Sequence, residues 1–165
     1  MRKPLLFTVV AALALFMLGA PGAQAQTCNG LTATISGTPG ADSLYGTSGN
    51  DVIAGFGGND FISGSYGDDT ICGGNEFDHV HGDDGNDRIE GFGGGDTLEG
   101  FSGNDLIAGH PGGDSVYGDS GNDEIYGGDD NDWMNGGSDT DFVSGRYGSD
   151  ICLQGETYDS CETIY

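Results

Sequence analysis

The sequence predicts an all-β fold, a two-sheet β-solenoid with two nine-residue repeats per turn, and three observations carry that expectation. Residues 37–153 divide into thirteen blocks of nine without an insertion or deletion, opening GTPGADSLY, GTSGNDVIA, GFGGNDFIS and closing GRYGSDICL. Position 1 of each block is glycine and position 6 is aspartate. Position 8 is apolar from Leu44, Ile53 and Ile62 through Met134 and Val143 to Cys152. Positions 7 to 9 thus alternate outward, inward, outward, as in Arg88-Ile89-Glu90, which is the period of a strand. Three residues make a strand too short to stand alone. If every second block lies on the same side, strands pair with equivalents about 4.8 Å away and the position 8 side chains fill a thin core between two sheets.

In chain order, residues 1–25 read as an export signal. Arg2 and Lys3 precede an apolar run from Leu5 to Leu18, and Ala23-Gln24-Ala25 is a small-x-small cleavage site. The apolar run is short for a membrane span. The expected mature chain is secreted and extracellular, with no membrane span after signal removal. Residues 26–36 form an N-terminal cap, 37–153 the thirteen-repeat solenoid, and 154–165 a degenerate repeat and C-terminal cap.

Four cysteines follow the signal, Cys28, Cys72, Cys152 and Cys161, an even number suited to an oxidising compartment. Three pairings are possible. Cys152 and Cys161 both fall at position 8 of neighbouring blocks, which favours their bridge and leaves Cys28 to meet Cys72.

Within the block, glycine at positions 1 and 4 permits positive φ and close passage of the chain, so the first six residues read as a loop. One small apolar residue per block is a meagre core. The charge makes matters worse: 27 Asp and Glu stand against four Lys and Arg, two of them in the leader, so the mature chain carries 2 − 27 = −25. Self-repulsion on that scale opposes compaction, so a cation must be part of the fold, and the sign excludes a nucleic-acid partner.

The solenoid collects the acid into two ladders. Asp51, Asp69, Asp87, Asp105, Asp123, Asp141 and Asp159 fall along one edge; Asp42, Asp60, Asp78, Asp96, Asp114, Asp132 and Asp150 fall along the other. Calcium suits these ladders, because it takes six to eight oxygen ligands from flexible carboxylates and carbonyls, whereas magnesium demands a tighter octahedron. Gaps between successive rungs would hold about twelve divalent ions, close to the charge to be balanced, and about ten calcium ions is the working expectation.

The block resembles the GGxGxDxUx nonapeptide of RTX, or haemolysin-type, calcium-binding repeats, over about 70 % of the chain. The N-terminal run GTPGADSLYGTSGNDVIAGFGGND is similar to that of short exported actinobacterial calcium-binding proteins. The resemblance implies a parallel β-roll with calcium in the turns. Its ligands would be the position 6 carboxylates and loop carbonyls, here those of Gly37, Gly46, Gly55, Gly57, Gly64, Gly82, Gly91, Gly93, Gly100, Gly109, Gly118, Gly127 and Gly136. Position 2 is glycine only at Gly74, Gly128 and Gly137, and position 4 is Glu76, Asp130 or Asp139 in three blocks. Block 73–81 is therefore expected to be the weakest site, because glutamate tolerates left-handed backbone poorly. Position 8 of the degraded block 154–162 would be Cys161, and the tail to Tyr165 would cover the last coil.

Other constellations carry less. His79 and His81 flank Val80 on the outer face and would need a third ligand to hold a transition metal. No HExxH, GxSxG or Walker loop is present, and fourteen equivalent aspartates point to ion ligands instead of one tuned acid–base pair, so the chain is expected not to be an enzyme. Tyr45, Phe61, Tyr117, Tyr126, Trp133 and Phe142 recur on the outer faces, where they stiffen short strands or stack on sugars. The expectation is a monomeric, exported calcium-binding protein that folds on its ions; the alternative is a carbohydrate-binding or adhesive surface module, with an extracellular polysaccharide or cell surface as partner.

Overall fold

A computed structural model of the chain describes residues 27–155, 157–161 and 163–164; the expected export signal, residues 1–25, lies outside the described residues. The described chain is a parallel β-solenoid of two eight-stranded sheets. One sheet runs from Ile35–Ser36 through Val52–Gly57, Thr70–Asn75, Arg88–Gly93, Leu106–Pro111, Glu124–Asp129 and Phe142–Arg146 to Thr157–Asp159. The other runs from Ser43–Tyr45 through Phe61–Ser63, His79–Asp84, Thr97–Ser102, Ser115–Ser120, Trp133–Asn135 and Ile151–Leu153 to Thr163–Ile164. Among the described residues no helix is long and apolar enough to cross a membrane.

The strand register is the repeat made visible. Ile53 faces Ile71, Ile71 faces Ile89, and Leu98 faces Val116, each eighteen residues apart and each two blocks on. Position 8 from Ile53 to Cys152 forms one continuous fully buried file, with Ile35 and Leu44 packed on its start. Burying each such side chain contributes about 1.5–3 kcal/mol. Apart from a small second cluster of Cys28, Ala54 and Cys72, that is the buried apolar contribution of each described block, so the turns must supply the rest.

The strands are longer than the sequence implied. Half of the strands in the two sheets run six residues, taking positions 7 to 9 and continuing through positions 1 to 3 of the next block, as in Val52–Gly57. The true turn is positions 4 to 6. The first rung also precedes Gly37: Ile35 pairs with Ile53, and Ser36 with Ala54. A small antiparallel pair, Thr27–Cys28 with Leu31–Thr32, lies ahead of it, and a Cys28–Cys72 bridge pins that pair to the first sheet.

The C-terminal end departs from the expected register. Val143 pairs with Tyr158, not with the residue eighteen further on, so Tyr158 packs on the core where Cys161 was expected. The physical reason lies in QGETYDSCE, which lacks the glycines at positions 1 and 4 that let a regular block turn. Gln154 turns left-handed at φ 45° instead, and the Gly155 N–H donates to the Tyr158 hydroxyl at 2.5 Å. Cys161 also packs against the core and is bridged to Cys152.

Candidate metal centre

Each ladder aspartate sits at the mouth of its turn, held there by the glycine that opens the block. From Asp60 to Asp150, position 6 is at most 3 % exposed. One carboxylate oxygen is used structurally: Oδ1 of Asp60 accepts the Asp42 N–H at 2.8 Å, Asp69 that of Asp51 at 2.7 Å, and Asp105 that of Asp87 at 2.8 Å. The pattern continues to Asp150, which accepts from Asp132 at 3.0 Å. The other oxygen is stranded. Oδ2 of Asp60, Asp69, Asp78, Asp87, Asp96, Asp105, Asp114, Asp123, Asp132 and Asp150 is buried and accepts no hydrogen bond from any described residue. A buried charged acceptor without a partner is costly.

What surrounds that oxygen is more oxygen. A Cβ added to Gly73 would lie 2.6 Å from Asp78 Oδ2 and 3.0 Å from the Gly91 carbonyl oxygen; at Gly82 the same point is 2.5 Å from Asp87 Oδ2 and 2.9 Å from the Gly100 oxygen. The space a side chain would fill is thus a cradle on which two acceptor oxygens converge. The same convergence recurs with the carbonyls of Gly73, Gly82, Gly91, Gly100, Gly109, Gly118, Gly127 and Gly136. An oxygen-only cradle on a flexible loop fits a hard divalent cation that bonds oxygen at about 2.3–2.6 Å.

The electrostatics agree. Burial pushes the carboxyls of Asp69, Asp96 and Asp105 up to about 6, against the opposing pull of one backbone N–H bond. For Asp78, Asp87, Asp114, Asp123 and Asp132 burial, reinforced by ladder neighbours of like charge, raises the value to about 7. Such groups hold their charge at neutral pH with difficulty unless a cation joins them.

The RTX calcium-binding nonapeptide repeat matches residues 36–71, 46–80, 73–107, 81–116 and 108–143. The chain belongs to this RTX family. Its repeats bind calcium, and the buried aspartates of the β-roll are where the fit to that ion is seen. Comparison with curated proteins finds no match for the chain.

Not every expected RTX ligand takes the same place. Asp42 and Asp51 lie at the first rungs, and there a threonine at position 2 occupies the second oxygen. Asp42 Oδ2 accepts the Thr38 N–H at 2.6 Å and hydroxyl at 2.9 Å; Asp51 Oδ2 accepts those of Thr47 at 2.7 and 2.8 Å. Burial pushes the Asp51 carboxyl up, but the bonds from Thr47 and Thr34 outweigh it and hold it low. Threonine therefore caps the edge where a cation would otherwise be needed. Asp159 is a correction: the shortened last turn places it opposite Ser144 at the end of a strand, exposed and off the ladder. At Gly57 and Gly93, a Cβ would face Glu76 Oε2 at 3.5 Å and Asn75 Oδ1 at 3.9 Å respectively.

Block 73–81 closes its turn like its neighbours, with Glu76 taking left-handed backbone at φ 69°. In ordinary blocks position 2 is left-handed at moderate φ, as at Phe92 (75°), and position 4 is a glycine at wide φ, as at Gly94 (143°). Where position 4 is Glu76, Asp130 or Asp139, its φ falls to 69–80°, and the wide angle moves to Gly74, Gly128 or Gly137 at position 2. The three departures from glycine at position 4 are matched by three glycines at position 2, so backbone strain is relocated within the turn.

A second ladder escaped the sequence reading. Asn50, Asp68, Asn86, Asn104 and Asn122 at position 5 each accept the N–H of the residue eighteen further on, as when the Asn104 N–H donates to Asn86 Oδ1 at 2.9 Å. Its sequence signal was the same spacing of eighteen that revealed the acids.

Proposed function

We propose that this protein is an exported structural protein whose β-roll folds as it binds about ten calcium ions, and that it has no catalytic activity. The single observation that carries this reading is the file of buried Asp Oδ2 atoms that accept no hydrogen bond. Calcium would be held by those oxygens and by position 1 glycine carbonyls, where it supplies positive charge and ligand bonds that the thin core lacks. Extracellular calcium modules bind at about 10⁻⁴–10⁻³ M, so export through the 1–25 signal would itself switch the chain from disordered to wound. The mature protein acts as a monomer, residues 26–36 and 154–165 closing the two ends of the 37–153 roll. Isothermal titration of calcium into the metal-stripped mature chain tests this: about ten ions with a large folding heat supports it, and one or two ions without a folding signal rejects it.

A second reading is favoured by the outer faces. Tyr117 and Trp133 lie 4.8 Å apart, and Tyr126 and Phe142 lie 5.7 Å apart with Arg146 over the Tyr126 ring. Such strips of ring and guanidinium suit an extracellular polysaccharide. Co-sedimentation with acidic and neutral polysaccharides separates the readings: loss of binding in Trp133→Ala supports the second, and no sedimentation of the parent protein removes it.

A further inference from the structure

We propose that His79, His81 and Glu99 form a transition-metal site on the outer face of one sheet, separate from the calcium ladders and selective for zinc-class ions. His79 and His81 sit at positions 7 and 9 of one block, so both rings leave the same face of strand His79–Asp84. The parallel register places Glu99 of strand Thr97–Ser102 directly beside His81. Three ligands of two types from two strands are thereby brought to one point.

The distances describe a site drawn together ready for an ion. The Nε2 atoms of His79 and His81 are 2.8 Å apart, and Glu99 carboxylate oxygens lie 3.9 Å and 3.6 Å from them. All three ligand atoms fall within 4.8 Å of one another. A tetrahedral ion with bonds of about 2.0–2.1 Å separates its ligands by about 3.3–3.5 Å, so only small side-chain adjustments are required. Two nitrogens set against each other share one proton at best; an ion between them uses both lone pairs, with each ring keeping its proton on Nδ1.

The surroundings favour nitrogen-seeking ions over calcium. Phe61 lies edge-on to His81 at 5.2 Å and Phe101 edge-on at 5.0 Å, so aromatic walls orient the ring and limit the number of oxygen ligands nearby. Two imidazoles and one carboxylate make a donor set suited to zinc, whereas calcium takes oxygen. The side chains remain 21–39 % exposed, which leaves a fourth position for water or an external ligand. A bound ion would also tie two successive turns of the sheet together from outside. By contrast, His110 pairs with Glu90, which Arg88 also engages, and stacks on Phe92, and it belongs to no comparable set among the described residues.

The test uses the mature chain folded in excess calcium, so that the aspartate ladders are saturated and the folded state is the starting point. Zinc is titrated against a chromophoric chelator, and cobalt is added separately as an absorption probe. The expected result is one zinc equivalent, a cobalt spectrum of low coordination number, and no displacement by calcium or magnesium. His81→Asn and His79→Asn should abolish the stoichiometric site and the cobalt band, Glu99→Gln should weaken zinc by roughly 10–100-fold, and His110→Gln should change neither. Calcium-dependent circular dichroism of each variant establishes that it is wound. Absence of saturable zinc binding, or a site that survives both histidine changes in wound protein, overturns the assignment.

Discussion

Asp105 holds Asp87 by one oxygen and faces a carbonyl with the other. Its Oδ1 accepts the Asp87 backbone N–H at 2.8 Å, while its buried Oδ2 has no hydrogen-bond donor and shares the Gly100 cradle with the Gly118 carbonyl oxygen. The first contact ties one turn to the next. The second sets two acceptors together, an arrangement that a cation resolves and that nothing in the ladder resolves without one.

Asp105→Asn follows from this directly. Asparagine keeps an Oδ1 for the Asp87 N–H and supplies an amide donor toward the Gly118 oxygen, so the metal-free chain should become easier to fold. Calcium bound per chain should fall, and the calcium midpoint for the remaining sites should rise. Equilibrium dialysis with calcium-free thermal melts checks both; a variant less stable without calcium and unchanged in stoichiometry would count against the cradle.

The pH dependence has a definite sign. Ladder carboxyls with an ordinary value of 3.8 are raised to about 6–7 in the folded, metal-free chain, so the fold binds protons more tightly than the unfolded chain does. Metal-free stability is then fullest below about pH 4 and is lost as pH rises through 6–7. Calcium affinity should run the other way, falling as pH drops through the same range because protons compete for the same oxygens. Far-UV circular dichroism of chelated protein at pH 5 and pH 8 reads the first effect, and calcium titrations at the two pH values read the second.

Two glycines should behave oppositely. Gly103 has φ +136°, and an added Cβ would strike the Gly85 carbonyl of the turn beneath, whereas Gly49 has neither positive φ nor any atom within 4 Å of an added Cβ. Gly103→Ala should cost about 2 kcal/mol or more from backbone strain alone, with the clash added. Gly49→Ala should be nearly neutral. Thermal melts in saturating calcium compare them.

Much of the roll was legible because its period is rigid. A spacing of nine with apolar position 8 fixes which side chains meet, and Ile53, Ile71 and Ile89 stack as that spacing requires. The ends were less legible. At Asp42 and Asp51 threonine at position 2 satisfies the acid, a local hydrogen bond that competes with the metal and leaves the period untouched. At Tyr158 the register slips because the block lacks the glycines of positions 1 and 4, and the period then misassigns Asp159 and overlooks Tyr158, which joins Cys161 on the core. Glu99 stands eighteen residues after His81, so the spacing that aligns the aspartates also aligns this pair on the outer face.

The disulfides should differ in weight. Cys28–Cys72 spans 44 residues and Cys152–Cys161 spans nine, so chain-entropy reasoning gives about 4 and about 2–3 kcal/mol respectively. Paired Cys→Ser variants melted in calcium should lose stability in that order. Equal losses would mean that the end of the coil, where Cys161 and Tyr158 pack on the core, depends on its bridge for more than loop closure.

The most direct measurement is far-UV circular dichroism, with heat of binding, while calcium is added to the chelated mature chain at pH 8. A cooperative rise of β signal together with uptake of about ten ions is the expected result, and magnesium at equal concentration should give little of it. A chelated chain already showing the full β signal and the same melting temperature would contradict the claim that the buried aspartate files need a cation to wind.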